Sequence, residues 1–148
     1  MSKSKAIGTR AESALVAFLI ANGVPAKRVA LSGALDQGDV HAWPTNQGAR
    51  VVIEVKSGKQ TSNPTHRQLQ EWLAEAHREA DNVPDADVAV LVTKRAGSGH
   101  GNVGQWWAHI SDGDIRWMCD GRHGHDDVIV AMSVNALAFL LRESQWAG

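Results

Sequence analysis

Glu54 and Lys56 stand two residues apart in the run Val51-Val52-Ile53-Glu54-Val55-Lys56, and Gly38-Asp39-Val40 precedes it. The run is rich in β-branched residues and ends at Ser57-Gly58, the composition of a strand. Side chains alternate between the faces of a strand, so Glu54 and Lys56 share one face while Ile53 and Val55 take the other. A carboxylate and an ammonium are costly to bury unless paired or used. Asp39, on or just before the preceding strand, can bring a second carboxylate to the same sheet edge. Two carboxylates and a lysine can hold Mg²⁺ and set a cation beside an activated water, which suits phosphodiester hydrolysis. Asp36, in the loop from Gly33 to Gly38, is the rival to Asp39.

The elements that must position these groups follow from periodicity and punctuation. Thr9 to Asn22 reads as a helix with Ala11, Leu15, Phe18 and Leu19 as its apolar stripe. Thr9 and Glu12 form a capping-box pattern, and Asn22-Gly23 ends the helix with Pro25 beyond. Short strands are expected over Arg28 to Leu31 and Gly38 to Ala42, a turn over Trp43 to Gly48, and a third strand over Arg50 to Lys56. A polar loop leads to a second helix, Thr65 to Asp81, with Leu69, Trp72, Leu73 and Ala76 on one face. Asp87 to Thr93 is strongly apolar, hence a central strand. After the glycine-rich loop from Lys94 to Gly104, strands Gln105 to Ile110 and Ile115 to Met118 are expected to form a hairpin through Ser111-Asp112-Gly113-Asp114. A loop over Gly121 to Asp127, a strand Val128 to Met132 and a helix Val134 to Arg142, capped by Ser133, complete the chain. This order predicts an α/β sandwich around a central mixed β-sheet flanked by helices.

The chain has 148 residues, a length that favours one domain over 1–148. Its one cysteine, Cys119, allows no internal disulfide and is compatible with a reducing compartment. The polar N-terminus has too short an apolar stretch for a signal peptide, and no segment approaches the roughly 20 apolar residues needed to span a bilayer. A soluble, cytoplasmic protein is expected. Net charge is −1, from 15 Lys+Arg against 16 Asp+Glu, which argues against indiscriminate coating of nucleic acid. The basic residues are grouped, as at Lys3, Lys5 and Arg10, at Lys56 and Lys59, and at Lys94 and Arg95, so the two signs can occupy different faces. His123-Gly124-His125-Asp126-Asp127 is the only local histidine cluster and lacks a second pair at zinc-site spacing. Trp106 and Trp107 alternate on a strand, one ring entering the core and the other facing outward, where it can stack on a base or close a dimer interface.

The ordered set Gly8-Thr9-Arg10-Ala11-Glu12, Leu31-Ser32-Gly33, Gly38-Asp39-Val40 and Glu54-Val55-Lys56 resembles the PD-(D/E)xK nuclease superfamily, and within it the archaeal and phage type of Holliday junction resolvase. The match spans residues 5–95, and residues 96–148 form an extension that matches nothing in the pattern. Gly38 stands where the family usually has a proline. The resemblance implies a restriction-endonuclease-like fold and a metal-dependent DNA endonuclease that cuts branched DNA. It assigns Asp39, Glu54 and the backbone carbonyl of Val55 as ligands of Mg²⁺ or Mn²⁺, and Lys56 as the cation near the scissile phosphate.

Glu12 resembles the family's helix-borne acid, although the capping box explains it as well. Ser32 resembles a loop serine near the DNA backbone, and Gln68 a helix glutamine that supports the site. Arg10, Lys59 and Arg67 are candidate phosphate contacts, which position a substrate without reading its sequence. Symmetric cutting of a four-way junction implies a homodimer. Two other readings stay open: a restriction-type, nicking or repair endonuclease of the same fold, and a non-catalytic DNA-binding protein that kept the fold.

Overall fold

The computed structural model describes residues 3–30, 35–44, 50–58, 61, 63–120 and 128–143. Ser32, Lys59 and the cluster His123 to Asp127 lie outside these residues. Helix α1 (Lys3–Ala21) leads into strands β1 (Ala26–Arg28), β2 (Val40–Ala42) and β3 (Arg50–Lys56). Helix α2 (His66–Asp81) and β4 (Ala86–Thr93) follow, then a 3-10 segment, β5 (Trp107–Ser111), α3 (Asp112–Asp120), β6 (Ile129–Ser133) and α4 (Val134–Glu143). The six strands form one sheet in sequence order. The β3–β4 pair is parallel and the other neighbouring pairs are antiparallel. The expected α/β architecture, a mixed sheet flanked by helices, is what forms.

The period of two along the strands divides the core. Val51 and Ile53 of β3 and Val88, Val90 and Val92 of β4 face a cluster built with Leu15 and Leu19 of α1 and Leu137 and Leu141 of α4. Val52, Ala89 and Leu91 face the opposite way, against Leu73, Ala76 and Ala80 of α2. Glu54 and Lys56 are therefore on the α2 side of the sheet, on the same face as each other, as the alternation predicted.

The end of α1 matches expectation in detail. Gly23 takes φ of 84°, a left-handed conformation that glycine adopts without strain. Its N–H donates to Ile20 O at 3.1 Å, and that of Val24 to Leu19 O at 2.9 Å, the paired bonds that close a helix C-terminus. The start of α1 does not match. The helix begins at Lys3, two turns before the pattern Thr9-Arg10-Ala11-Glu12, so Thr9 is inside it and Glu12 belongs to no capping box.

The expected hairpin after β5 is also corrected. Residues 112–120 are the helix α3, not the second strand of a hairpin. Ser111 Oγ accepts from the Asp114 N–H at 3.2 Å, so Ser-Asp-Gly-Asp is a helix cap. Asp112 and Asp114 favour the positive end of the helix dipole, and Asp112 pairs with Arg116 one turn on, Nε to Oδ2 at 3.0 Å. Smaller shifts occur at β1, which precedes its expected span, and at β2, which starts at Val40. In the segment after residue 96, β5 and β6 continue the same sheet.

Candidate active site

The β2–β3 pairing brings Asp39 to Glu54. Val40 lies opposite Ile53, and the Asp39 N–H donates to Ile53 O at 3.1 Å. One step beyond the ladder, the Val55 N–H donates to Asp39 Oδ2 at 2.8 Å, so the carboxylate itself takes up the next β3 amide. Gly38 makes this approach possible. Its φ is +87°, and a Cβ there would lie 2.5 Å from Val52 Cγ1 and 3.7 Å from Glu79 Oε2. A proline, with φ fixed near −65°, cannot make this bend.

Glu54 lies against α2. Ligand oxygens of Glu54, Glu75 and Glu79 lie within 4.8 Å of one another. Lys56 Nζ is 3.5 Å from Glu54 Oε1 and 3.4 Å from Glu75 Oε2. Glu54 is 6% and Glu79 4% exposed, and Oε2 of each is buried without a hydrogen-bond partner among the described residues. Burial raises the pKa of Glu54 far above the ordinary carboxylate range; its bond to Glu79 and the charges of Asp39 and Glu79 raise it further, against the pull of Lys56. Glu79 is raised by burial, and by Asp36, Glu75 and Asp39, while its bond to Glu54 opposes. Asp39 is raised by burial, opposed by the Val55 amide. Burial works against the Lys56 ammonium, but Glu54 and Glu75 outweigh it and hold its pKa above that of an ordinary lysine.

Glu12 reaches the site from α1. Burial and then Asp39 raise its pKa, opposed by Arg28, whose Nε donates to Glu12 Oε2 at 3.1 Å. Glu12, Arg28, Asp36 and Asp39 line an open cleft of about 310 Å³ beside the start of β2. Asp36 spends one oxygen on the Gly38 N–H at 2.9 Å, the bond of a turn residue. Sequence reading thus anticipated Glu12, Asp39, Glu54 and Lys56, and the fold brings them together.

It did not anticipate Glu75 and Glu79. Spaced four apart on α2, they share a helix face, and Glu79 occupies a position where the stripe 69-72-73-76 calls for an apolar residue. That break in the pattern was the available signal.

The remaining candidates are more peripheral. Gln68 is committed to the α2 cap: Thr65 N–H donates to Gln68 Oε1 at 2.9 Å and Gln68 N–H donates to Thr65 Oγ1 at 3.1 Å. Arg67 is 88% exposed and pairs with Glu71 at 3.3 Å, and Arg10 is exposed on α1. Trp106 is buried and Trp107 39% exposed, the one-in, one-out arrangement expected.

Clustered carboxylates that raise one another's pKa, with buried oxygens lacking donors, form a donor set of the kind that a hard divalent cation takes. Glu54, Glu75 and Glu79 form such a group, with Asp39 beside Glu54 and Lys56 between Glu54 and Glu75. The fold and site define an α/β protein with a metal-capable acidic centre beside one lysine. No protein-family model matches the chain, and no curated protein matches it by sequence. Among solved structures it is similar to that of Hjc, a Holliday junction resolvase from the archaeal hyperthermophile Archaeoglobus fulgidus. The two are 18% identical, the overlap covers 88% of this chain and 99% of that one, and the TM-score is 0.48.

Proposed function

We propose that the chain is one nuclease domain of the PD-(D/E)xK type, a Mg²⁺- or Mn²⁺-dependent endodeoxyribonuclease that resolves Holliday junctions in the cytoplasm. One observation carries this reading: the Asp39 carboxylate is held on the Val55 amide beside Glu54, with Lys56 on the same strand face.

Asp39, Glu54 and the Val55 carbonyl would hold the divalent ion, which when bound would make a water more acidic and offset charge at phosphorus. Lys56 is the group of this chain that faces the phosphate. Its ammonium stabilises the charge that develops on the non-bridging oxygens, and the partly buried setting strengthens that effect. Glu75 and Glu54 keep it protonated and fix its position. Glu12, tethered by Arg28, adds negative charge from the Asp39 side and so favours the cation. Arg10, Ser32, Lys59 and Arg67 contact phosphates and orient the duplex arms. Two copies about a two-fold axis set two such centres on opposing strands, which symmetric resolution of a branch requires.

The test is incubation of the purified protein with a labelled four-way DNA junction and a matched linear duplex, in Mg²⁺ or Mn²⁺, beside Glu54→Ala. Paired symmetric nicks in the junction alone are expected, lost in the variant and in chelator. Equal cutting of both substrates would make the protein a general endonuclease. Junction binding without cutting in either metal would leave a binding protein.

A further inference from the structure

Two clefts lie beside the ends of β3 and β4, next to Lys56, and Arg95 lines both. The first, about 370 Å³, opens where the parallel strands β3 and β4 end and is lined by Ser57, Gly58, Lys94, Arg95 and Ser98. The second, about 430 Å³, is lined by Asn63, Leu69, Thr93, Trp107 and His109. Sheet register connects them to Lys56: Lys56 pairs with Thr93, and Thr93 with Trp107. Paired residues share a sheet face, so the row runs from Lys56 to Trp107 across two strand spacings, roughly 10 Å.

The chemistry of the two clefts differs in a way that matches the two halves of a nucleotide. The first presents two cations and two hydroxyl-bearing serines, and among the described residues no acidic side chain lines it. The second presents an indole, 39% exposed, with the Arg95 guanidinium 5.3 Å from its ring centre. Below it His109 is 5% exposed, and Thr93 Oγ1 lies 3.1 Å from its Nε2. His109 Nδ1 is buried with no partner among the described residues, although the ring lines the cleft. Burial holds this imidazole neutral, its pKa lowered to about 4, so one ring nitrogen donates and the other accepts.

We propose that these clefts form one nucleotide subsite for the DNA strand flanking the scissile phosphate: the adjacent phosphate lies against Lys94 and Arg95, and an unstacked base lies on Trp107 with its edge toward His109. The subsite rests on the nuclease reading and adds to it the means of holding a splayed strand. Stacking on an indole accepts any base, so it selects for a strand that can leave its duplex, as at a branch, rather than for a sequence. Arg95 serves both halves, stacked on the ring and facing the phosphate.

Binding is measured with four-way junctions carrying 2-aminopurine at each position near the branch in turn. Ca²⁺ is the cation, since it takes the same class of oxygen ligands. Wild type is compared with Trp107→Leu and Arg95→Gln, both changes at exposed side chains. Wild type is expected to quench one position next to the cut. Trp107→Leu loses that quenching and binds roughly 5- to 100-fold more weakly. Arg95→Gln lowers the salt dependence of binding by about one unit of slope. Unchanged emission at every position, or wild-type affinity and salt slope in both variants, overturns the subsite and leaves junction cutting intact. A wild-type protein that binds no DNA overturns the subsite and the nuclease reading together.

Discussion

Glu54 couples the acidic centre to pH through the fold itself. In the metal-free protein its pKa lies above the 4.5 of an unfolded glutamate, through burial first and then Glu79 and Asp39. Across the window between those two values the native state holds more protons than the unfolded chain, so stability falls as pH rises. Glu12, Asp39 and Glu79 are raised as well and act with the same sign. In chelator, the melting temperature should fall from about pH 5 to about pH 8. Glu54→Gln should flatten that slope and raise the melting temperature at the alkaline end; a variant as steep as wild type would show that Glu54 does not carry it.

The orientation of Glu54 and Lys56 was legible because a strand's period of two leaves no choice of face. Glu12 was ambiguous because Thr-x-x-Glu fits both a cap and a site, and the helix start at Lys3 removes the cap. Glu75 and Glu79 were missed because an i, i+4 acidic pair on a helix usually faces water. What buries Glu79 and half-buries Glu75 is the approach of α2 to the sheet, a tertiary event.

Among the elements, α3 shows how composition and geometry part company. Ser-Asp-Gly-Asp has the residues of a turn, and the nine-residue segment after Ser111 is too short for periodicity to correct that reading. The same four residues satisfy a helix N-terminus and anchor the sheet. Asp114 Oδ2 accepts from the Ala89 N–H of β4 at 3.1 Å and lies 3.0 Å from His77 Nε2 of α2. Ala89 is buried, so Asp114→Ala leaves its amide without this acceptor and should cost about 1–3 kcal/mol in urea unfolding. Asp112→Ala removes a first-turn charge and the pair with Arg116, whose side chain is 59% exposed, and should cost about 1 kcal/mol or less. Equal losses in the two variants would mean that the bond to β4 contributes nothing beyond a first-turn charge. The long elements α2, β3 and β4 were read from sequence nearly to their ends, since each has either a strong stripe or a continuous apolar run.

At the scale of the molecule, a net charge of −1 is divided between the acidic centre and basic groups such as Lys94 and Arg95 at its rim. Among the described residues, no helix is long and apolar enough to cross a membrane. The parallel pairing of β3 with β4 has a kinetic consequence. Those strands meet only after the chain has crossed over through α2, whereas β2 and β3 are antiparallel and closer along the chain. Pairing across a longer loop is slower to form, so the β3–β4 face on which α2 packs, and with it the contact of Glu54 and Glu79, should be completed late on the folding route. A divalent ion bound at Glu54 and sensing Glu79 would then have little to grip in the folding transition state. In stopped-flow chevrons Mg²⁺ should lower the unfolding limb and leave the refolding limb almost unmoved. The ion would act as a latch closed after folding, slowing its reversal.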